Sequence, residues 1–186
     1  MTSFQTGQMI DDRIIVRRAG PADVDAVVAL AEAASTAAHW PRTAYAAYGM
    51  ALPQEDSIPA KALFVACMCA GPGQIAEIVG FIALSALLTT GSAQIASECE
   101  LENMVVAEPW RRQGVGQRLV AAGLLWCGAQ LGSVLRLEVR ASNVAAIALY
   151  ELAGFAVAGR RPAYYSQPVE DAVLLQKALQ TSPGKA

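Results

Sequence analysis

The sequence is poor in the side chains from which metal and redox sites are built. Its 186 residues include one histidine, His39, and four cysteines, Cys67, Cys69, Cys99 and Cys127, with no Cys-x-x-Cys pair among them. Zinc and thiol redox sites usually need closely spaced cysteine and histidine residues. We therefore expect no metal site, and we expect the four thiols to be reduced and to pack inside the protein as small apolar groups.

Charged side chains are also few, and neither sign dominates. Lysine and arginine number 14 and aspartate and glutamate 16, which gives a formal net charge of −2. A protein that binds nucleic acid through a broad basic surface carries a clear excess of positive charge. We therefore expect no nucleic-acid partner.

Long apolar runs are lacking as well. The strongest run, Val79–Leu88, is interrupted by Ser85 and falls short of the roughly 20 residues that a membrane-spanning helix needs. The first twelve residues are polar and include Asp11 and Asp12, unlike the apolar core of a signal peptide. These features predict a soluble cytoplasmic protein with no membrane partner.

Apolar residues are plentiful, at 54% of the chain, which is enough for a well-packed globular core. We predict one domain over residues 13–180, with flexible tails at 1–12 and 181–186. The order of the predicted elements is typical of an α/β or α+β domain with a mixed sheet. Strands are predicted at Arg13–Arg18, Ala62–Cys69, Ile75–Leu84, Gln94–Val106, Val134–Arg140, Phe155–Gly159 and Ala172–Leu179, helices after Pro21, at Pro41–Met50, at Val115–Leu131 and from Asn143 to about Ala153, and a loop at Arg160–Glu170.

A short segment between a long strand and a long helix carries two closely spaced glycines. Here Arg111 and Arg112 precede Gly114 and Gly116. Glycine allows a sharp turn and a close approach to a ligand, and the first amide groups of a helix lack partners and carry partial positive charge. The pattern indicates a phosphate site, which the arginines suit. The alternative is a loop that merely joins the strand to the helix.

Several motifs in the second half of the chain carry a family resemblance. The run Arg111-Arg112-Gln113-Gly114-Val115-Gly116 resembles the acetyl-coenzyme A pyrophosphate motif of the GCN5-related N-acetyltransferase (GNAT) superfamily, and Glu100–Val106 resembles its fourth strand. Leu137–Asn143, Ala146–Glu151 and Gly154-Phe155 resemble the RimI type, the ribosomal-protein alanine N-acetyltransferases. Arg160-Arg161, Tyr164-Tyr165 and Glu170-Asp171-Ala172 match the acceptor loop of that type.

The resemblance implies a fold and a binding site for acetyl-coenzyme A. The fold is a GNAT-like, mostly antiparallel mixed sheet of six to seven strands flanked by about four helices. The pyrophosphate binds at the glycine segment, and the backbone edge of the fourth strand pairs with the pantetheine amides, a role that is compatible with an ordinary core strand. Ser142 or Asn143 caps the helix that follows β-strand residues 134–140 in the sequence, and the resemblance adds a contact from Asn143 to coenzyme A. The implied donor-binding residues are Met104, Val105, Val106, Arg111, Arg112, Gln113, Gly114, Val115, Gly116, Gln117 and Asn143.

Acetyl transfer to an amine also needs a base, because an α-amino group has a pKa of about 8 and is mostly protonated at neutral pH. The resemblance implies that Glu138 is this base. From the residues alone, an equally good interpretation is that Glu138 forms a solvated ion pair with Arg136 or Arg140 on the same strand face. Glu100 and Glu102 are rival carboxylates, and one of them is an alternative binding group for the acceptor amine.

The leaving thiolate needs a proton donor, and Tyr150 fits this role. A phenol with a pKa near 10 can protonate a thiolate whose conjugate acid has a pKa of roughly 8.5, at a cost of only a unit or so. Tyr150 lies about two turns into the helix that Asn143 opens. The alternative is a core tyrosine packed on Ala146 and Ala153, and the resemblance favours the functional role.

The resemblance also implies contacts to the acceptor. These come from Trp40, in a loop that loosely resembles the family's aromatic loop, and from Tyr164 and Tyr165, whose alternative role is packing. Ala163 is an extra residue relative to the RimI pattern.

The implied protein is a monomeric enzyme without a metal or a covalent enzyme intermediate. Its implied partners are acetyl-coenzyme A and a primary amine, above all the N-terminal α-amino group of a protein such as a small-subunit ribosomal protein. Two alternatives stay open at this point. One is an acetyltransferase that acts on a small amine or a lysine side chain, and the other is a non-catalytic module that binds coenzyme A.

Overall fold

The computed structural model describes residues 13–34, 37–49, 60–71, 74–90, 95–130 and 132–179. The predicted tails at 1–12 and 181–186 lie outside these ranges. The strands are β1 (Ile14–Arg18), β2 (Ala60–Gly71), β3 (Gln74–Thr90), β4 (Ile95–Val106), β5 (Gly132–Arg140), β6 (Ala156–Ser166) and β7 (Val169–Ala178). The helices are α1 (Val24–Ala33), α2 (Arg42–Gly49), α3 (Val115–Ala129) and α4 (Val144–Leu152), with short 3₁₀ helices at Pro21–Asp23 and Glu108–Trp110.

The seven strands form one mixed sheet in the order β1-β2-β3-β4-β5-β7-β6. Every neighbouring pair is antiparallel except β4 and β5, which are parallel. The predicted mixed, mostly antiparallel sheet of six to seven strands with about four helices is confirmed. None of the helices in the described part of the chain is both long enough and apolar enough to cross a membrane.

Helices α1 and α2 cover one face of the sheet because each places an apolar stripe against it. Val24 and Val27 of α1 and Tyr45 and Tyr48 of α2 are buried, at helical spacing. They pack on alternate residues of β2, β3 and β4, such as Phe81. This apolar cluster contains no described residue of β5, β6 or β7. The polar side chains on the same face of those three strands are therefore not covered by it.

Helices α3 and α4 pack on the opposite face. Leu119 of α3 and Tyr150 of α4 belong to a second apolar cluster, together with the inward side chains of β3 to β5. On β5, Leu135, Leu137 and Val139 point into this cluster, as the predicted alternation requires. Their neighbours Arg136, Glu138 and Arg140 therefore emerge on the face that carries α1 and α2.

The parallel strands β4 and β5 run together for only part of their length. Their pairing extends from Ser97 opposite Gly132 to Leu101 opposite Leu137, and in the described ranges it goes no further. One residue of β4 is a bulge at this point, because Leu101 lies opposite Leu84 and Asn103 lies opposite Ala83 on β3. The bulged residue is Glu102, and it marks where β4 and β5 separate.

The predicted loop at Arg160–Glu170 is wrong. Strand β6 continues to Ser166 and β7 begins at Val169, so that the two form a hairpin. The pairing skips residues of β6 between Arg161 and Tyr165, and within that bulge Ala163 has a φ of 49° and donates its amide to Asp171 Oδ1 at 3.0 Å. Local turn residues predicted a loop, but pairing with β7 keeps the segment extended.

None of the four cysteines, all within the described ranges, forms a disulfide, and they differ in burial. Cys67, Cys99 and Cys127 are buried, as expected of small apolar groups, whereas Cys69 is half-buried near the end of β2. The neighbouring Cys99 thiol and, to a smaller extent, burial raise the pKa of the Cys127 thiol. The ranges that the structure covers contain no cluster of histidine, cysteine and carboxylate side chains suited to a metal ion.

Candidate functional site

The segment between β4 and α3 presents backbone amide groups that have no partner inside the helix. Arg112 and Gly114 both adopt positive φ, at 61° and 81°, which turns the chain sharply into the first turn of α3. The first α-helical hydrogen bond runs from the Arg118 amide to the Gly114 carbonyl, at 3.1 Å. The amides of residues 115–117 precede it, so they are available to an anion. This geometry favours the predicted phosphate site over a plain connecting loop.

Side chains of the same segment hold it in place. Arg111 Nε donates to the Val106 carbonyl at 3.1 Å, and Gln113 Nε2 donates to the Pro109 carbonyl at 2.7 Å. The Arg118 guanidinium donates to the Ile14 carbonyl on the far strand β1. The predicted binding residues Arg111, Arg112 and Gln113 are all exposed.

Helix α4 approaches the start of α3 closely at residue 116. A Cβ there would lie 2.9 Å from Leu149 Cδ2. Helix α4 therefore passes close to the start of α3, and Tyr150 is the next residue after that contact. The predicted phosphate site and the predicted proton donor thus lie on neighbouring elements.

The geometry of the end of β4 is compatible with both of the roles that the sequence predicts for it. Val105 is buried in the cluster beneath α1 and α2, while Met104 and Val106 pack partly buried against the other cluster. Their backbone lies beyond Leu101, where pairing with β5 has stopped. Side chains anchor the strand in both cores, and one backbone edge can pair with an extended ligand.

Helix α4 begins at Asn143 and carries Tyr150 into the core. Asn143 Oδ1 accepts the Ala146 amide at 3.2 Å, so the cap is Asn143 and not Ser142. Tyr150 is only 5% exposed and packs on Phe155, with ring centroids 5.6 Å apart. Burial, with a smaller contribution from Tyr165, raises the pKa of its phenol above the ordinary value. The side chain therefore stays protonated and can donate a hydrogen bond.

Glu138 is held by residues of β6, and not by its neighbours on β5. Its Oε1 lies 2.8 Å from the Arg161 guanidinium, and the same carboxylate raises the pKa of the nearby Tyr164 phenol. The alternative ion pairs with Arg136 and Arg140 are wrong. Side chains two apart on a strand stand about 7 Å from each other. Arg136 forms an ion pair with Glu98 instead, and Arg140 forms one with Glu170.

Glu138 lines a groove on the face of the sheet that carries α1 and α2, in the part of that face that these helices do not cover. The groove has a volume of about 380 Å³ and is bordered by residues of β3, β4, β5, β6 and β7. It also contains Glu100, whose carboxyl has its pKa raised by burial and by the nearby charges of Glu102 and Glu138. Three carboxylates thus converge near the point where β4 and β5 separate, and they can bind a cation or accept its proton.

Glu102 has a partner that the sequence did not reveal. The Tyr48 hydroxyl of α2 donates a hydrogen bond to Glu102 Oε2. The three-residue spacing of Tyr45 and Tyr48 predicts only that they share a buried helix face. A contact between α2 and β4 is long-range and carries no local signal. Arg161 was likewise missed as a site residue, since its pairing with Glu138 depends on the unexpected length of β6.

The predicted aromatic contacts separate into two groups. Trp40 packs on the rings of Tyr45 and Tyr48, at centroid distances of 5.2 and 5.4 Å, so it belongs to the support behind Glu102. Tyr164 is 49% exposed beside the groove. Tyr165 is half-buried under the Arg140 guanidinium, 4.1 Å from its ring centroid. Acceptor binding by these three residues stays a prediction.

Sequence comparisons identify relatives of this chain. The model of the acetyltransferase (GNAT) family matches residues 28–155. The [ribosomal protein bS18]-alanine N-acetyltransferase of Escherichia coli strain K12 is 40% identical over 83 residues, which are 44% of this chain and 56% of that protein. An uncharacterised protein of Mycobacterium leprae is 39% identical over 83 residues, 45% of this chain and 22% of that protein. The chain therefore matches about half or less of the length of these curated relatives.

Solved structures share the fold over most of the chain. Arabidopsis thaliana NAA60 in complex with acetyl-CoA superposes with a TM-score of 0.74 at 17% identity, covering 89% of this chain and 98% of that one. The ribosomal-protein-S18-alanine N-acetyltransferase from Escherichia coli gives 0.63 at 24% identity, with 93% and 98% covered. Ard1 from Thermoplasma volcanium gives 0.66 at 26% identity, with 90% and 99% covered.

The cap of α4 gives a stability test with a control one residue away. Replacing Asn143 with Ala removes the acceptor for the Ala146 amide, so we expect a loss of about 1 kcal/mol in the free energy of unfolding, measured by urea denaturation. Replacing Ser142 with Ala leaves this hydrogen bond intact and removes only the interaction of the Ser142 side chain with Glu170, so we expect a smaller loss. Equal losses in the two variants would contradict the assignment of the cap.

Proposed function

Because this chain belongs to the acetyltransferase (GNAT) family, we propose that it transfers an acetyl group from acetyl-coenzyme A to the α-amino group at a protein N-terminus. The observation that carries the proposal is the separation of β4 and β5 after Leu101 and Leu137. It leaves a backbone edge beside the free amides of α3, with Glu138 on one side of the sheet and Tyr150 on the other.

The residues around this separation suit the donor substrate. The amides at the start of α3 would bind the pyrophosphate, because no side chain of the cap residue accepts a hydrogen bond from them. The edge of β4 from Met104 to Val106 would pair with the amides of the extended pantetheine arm. The exposed Arg111 and Arg112 add charge to the phosphate site, and Asn143 keeps its cap while contacting the same ligand. NAA60, which shares this fold, was solved in complex with acetyl-CoA, and this supports the choice of donor.

Glu138 is proposed as the base that removes the proton of the acceptor ammonium. A carboxylate accepts such a proton directly or through one water molecule. Arg161 already pairs with Oε1 of Glu138. The proton would therefore go to the other carboxylate oxygen, or Arg161 would move aside, since its side chain is 54% exposed. Glu100 is the rival base, because its raised pKa brings it closer to that of the amine.

Tyr150 is proposed as the group that stabilises the leaving thiolate. At their ordinary values, the pKa of a phenol and the pKa of a thiol differ by only about one to two units. Burial widens that difference, because it raises the pKa of Tyr150. The phenol therefore acts first as a hydrogen-bond donor to the developing negative charge on sulfur, which a desolvated donor stabilises strongly. The phenol keeps its proton, and coenzyme A leaves as a thiolate that takes up a proton from solvent after release.

The acceptor is proposed from the relatives and from the character of the groove. The Escherichia coli relative is named for alanine of ribosomal protein bS18, which supports a protein N-terminus and, more specifically, a small-subunit ribosomal protein. Three nearby carboxylates suit a cationic amine. A non-catalytic module that binds coenzyme A would need neither a carboxylate at residue 138 nor a phenol at residue 150. The cytoplasmic location stays a prediction of the sequence.

The acceptor class is tested by mass spectrometry of acetylated products. We expect transfer from acetyl-coenzyme A to peptides that begin with alanine, including the N-terminal peptide of ribosomal protein bS18, and much less transfer to free polyamines or to lysine side chains in N-terminally blocked peptides. Preferred acetylation of the small amines or of lysine would contradict an N-terminal acceptor. Binding of the donor with no transfer to any amine would favour the non-catalytic alternative.

The role of Tyr150 is tested by removing its hydroxyl. In the Tyr150→Phe variant we expect turnover to fall about 100-fold or more, because a hydrogen-bond donor to the charge that develops in the transition state contributes at least that much. The Kd for acetyl-coenzyme A, measured by calorimetry, should stay within about twofold. Tyr45→Phe is the control, since Tyr45 is also buried but donates only to the Ala38 carbonyl. Unchanged turnover in Tyr150→Phe would refute the assignment.

A further inference from the structure

We propose that Tyr48 is a positioning residue for the acceptor, which fixes Glu102 as the carboxylate that binds the acceptor ammonium. This inference rests on the proposed function and divides the work between two carboxylates. Glu102 would anchor the amine, and Glu138 would take its proton. Tyr48 would act only through Glu102.

The backbone brings Glu102 to the point of separation between the strands. Leu101 and Leu137 are the last residues that β4 and β5 pair, so Glu102 and Glu138 are the first residues beyond that point on their respective strands. The bulge gives Glu102 no partner residue on β3. It directs the Glu102 side chain to the face on which α2 lies, where Tyr48 meets it. Glu100, two residues earlier, lines the groove.

Tyr48 is a rigid donor. It is only 4% exposed, Trp40 stacks on its ring at 5.4 Å, and the Lys61 ammonium lies 4.6 Å from the ring centroid. Burial and the charges of Glu102 and Glu100 raise its pKa, so the hydroxyl keeps its proton throughout the physiological range. One oxygen of Glu102 is therefore held by a permanent donor, and the other oxygen keeps its capacity to accept.

The partners of the two carboxylates differ in charge, and this difference assigns the roles. Glu138 faces a guanidinium at 2.8 Å, which already supplies a positive charge. Glu102 accepts from a neutral hydroxyl, and within the described ranges no arginine or lysine forms an ion pair with it. The uncompensated charge of Glu102 also contributes to the raised pKa of Glu100. An arriving ammonium gains most by pairing with the carboxylate that has no cation.

Helix α2 contains a matched pair of tyrosines for the test. Tyr45 and Tyr48 are both buried and both packed on Trp40. Tyr45 donates to a backbone carbonyl and accepts from Asn103 Nδ2 at 3.0 Å, and so touches no carboxylate. Phenylalanine at either position keeps the ring and its packing. The two variants therefore lose the same hydroxyl group from the same helix, but only one of them releases Glu102.

The experiment is steady-state kinetics with an alanine-initiated peptide as acceptor. In Tyr48→Phe we expect the acceptor KM to rise about tenfold, the size expected for a lost hydrogen bond to a charged group, with the KM for acetyl-coenzyme A and kcat within about twofold. In Tyr45→Phe all three constants should stay near those of the wild type. Calorimetric binding of the peptide to the protein loaded with coenzyme A should show the same tenfold difference.

A double-mutant cycle separates positioning from general packing. Glu102→Gln should raise the acceptor KM by itself, and adding Tyr48→Phe to it should change KM by less than about twofold, because the hydroxyl then has no carboxylate to hold. Effects that multiply, or an unchanged acceptor KM in Tyr48→Phe, would overturn the inference while leaving the proposed function intact. If the wild type acetylates no peptide, the proposed function fails and the inference falls with it.

Discussion

The constraint on which the site depends is the incomplete pairing of two parallel strands. Backbone amide and carbonyl groups need hydrogen-bond partners, and β4 loses its partner strand after Leu101. Both apolar clusters hold the end of β4, through Val105 on one face and Met104 and Val106 on the other. The strand therefore stays extended although one edge is open. An extended ligand with amides of its own is the natural complement of such an edge.

The sheet also separates the two halves of the proposed chemistry. The carboxylates Glu100, Glu102 and Glu138 lie on the face of α1 and α2, where burial and the charges of the other two raise the pKa of Glu100. Tyr150 and the start of α3 lie on the opposite face, in an apolar environment that keeps the phenol protonated. Proton removal and thiolate stabilisation thus need different surroundings. The gap between β4 and β5 opens onto both faces of the sheet, so one ligand could contact the carboxylates on one face and Tyr150 on the other.

Local patterns predicted the elements whose signals lie in a few neighbouring residues. The alternation along β5 and the cap at Asn143 are of this kind, and the glycine segment before α3 is another. The extension of β6, the bulge at Glu102 and the bond from Tyr48 to Glu102 were not predictable in this way. Each depends on a partner far along the chain, and propensity carries no information about such a partner. The same reason explains why Glu138 pairs with Arg161 of β6 and not with the arginines of its own strand.

Amide hydrogen exchange with and without acetyl-coenzyme A tests the central claim most directly, because it reports the hydrogen bonding of individual backbone groups. We expect saturating acetyl-coenzyme A to slow exchange in residues 102–106 of β4 and in residues 115–117 at the start of α3, with little change in β1 and β2. Calorimetric binding accompanied by unchanged exchange in both segments, or by protection elsewhere alone, would contradict the claim that the open edge of β4 and the start of α3 hold the donor.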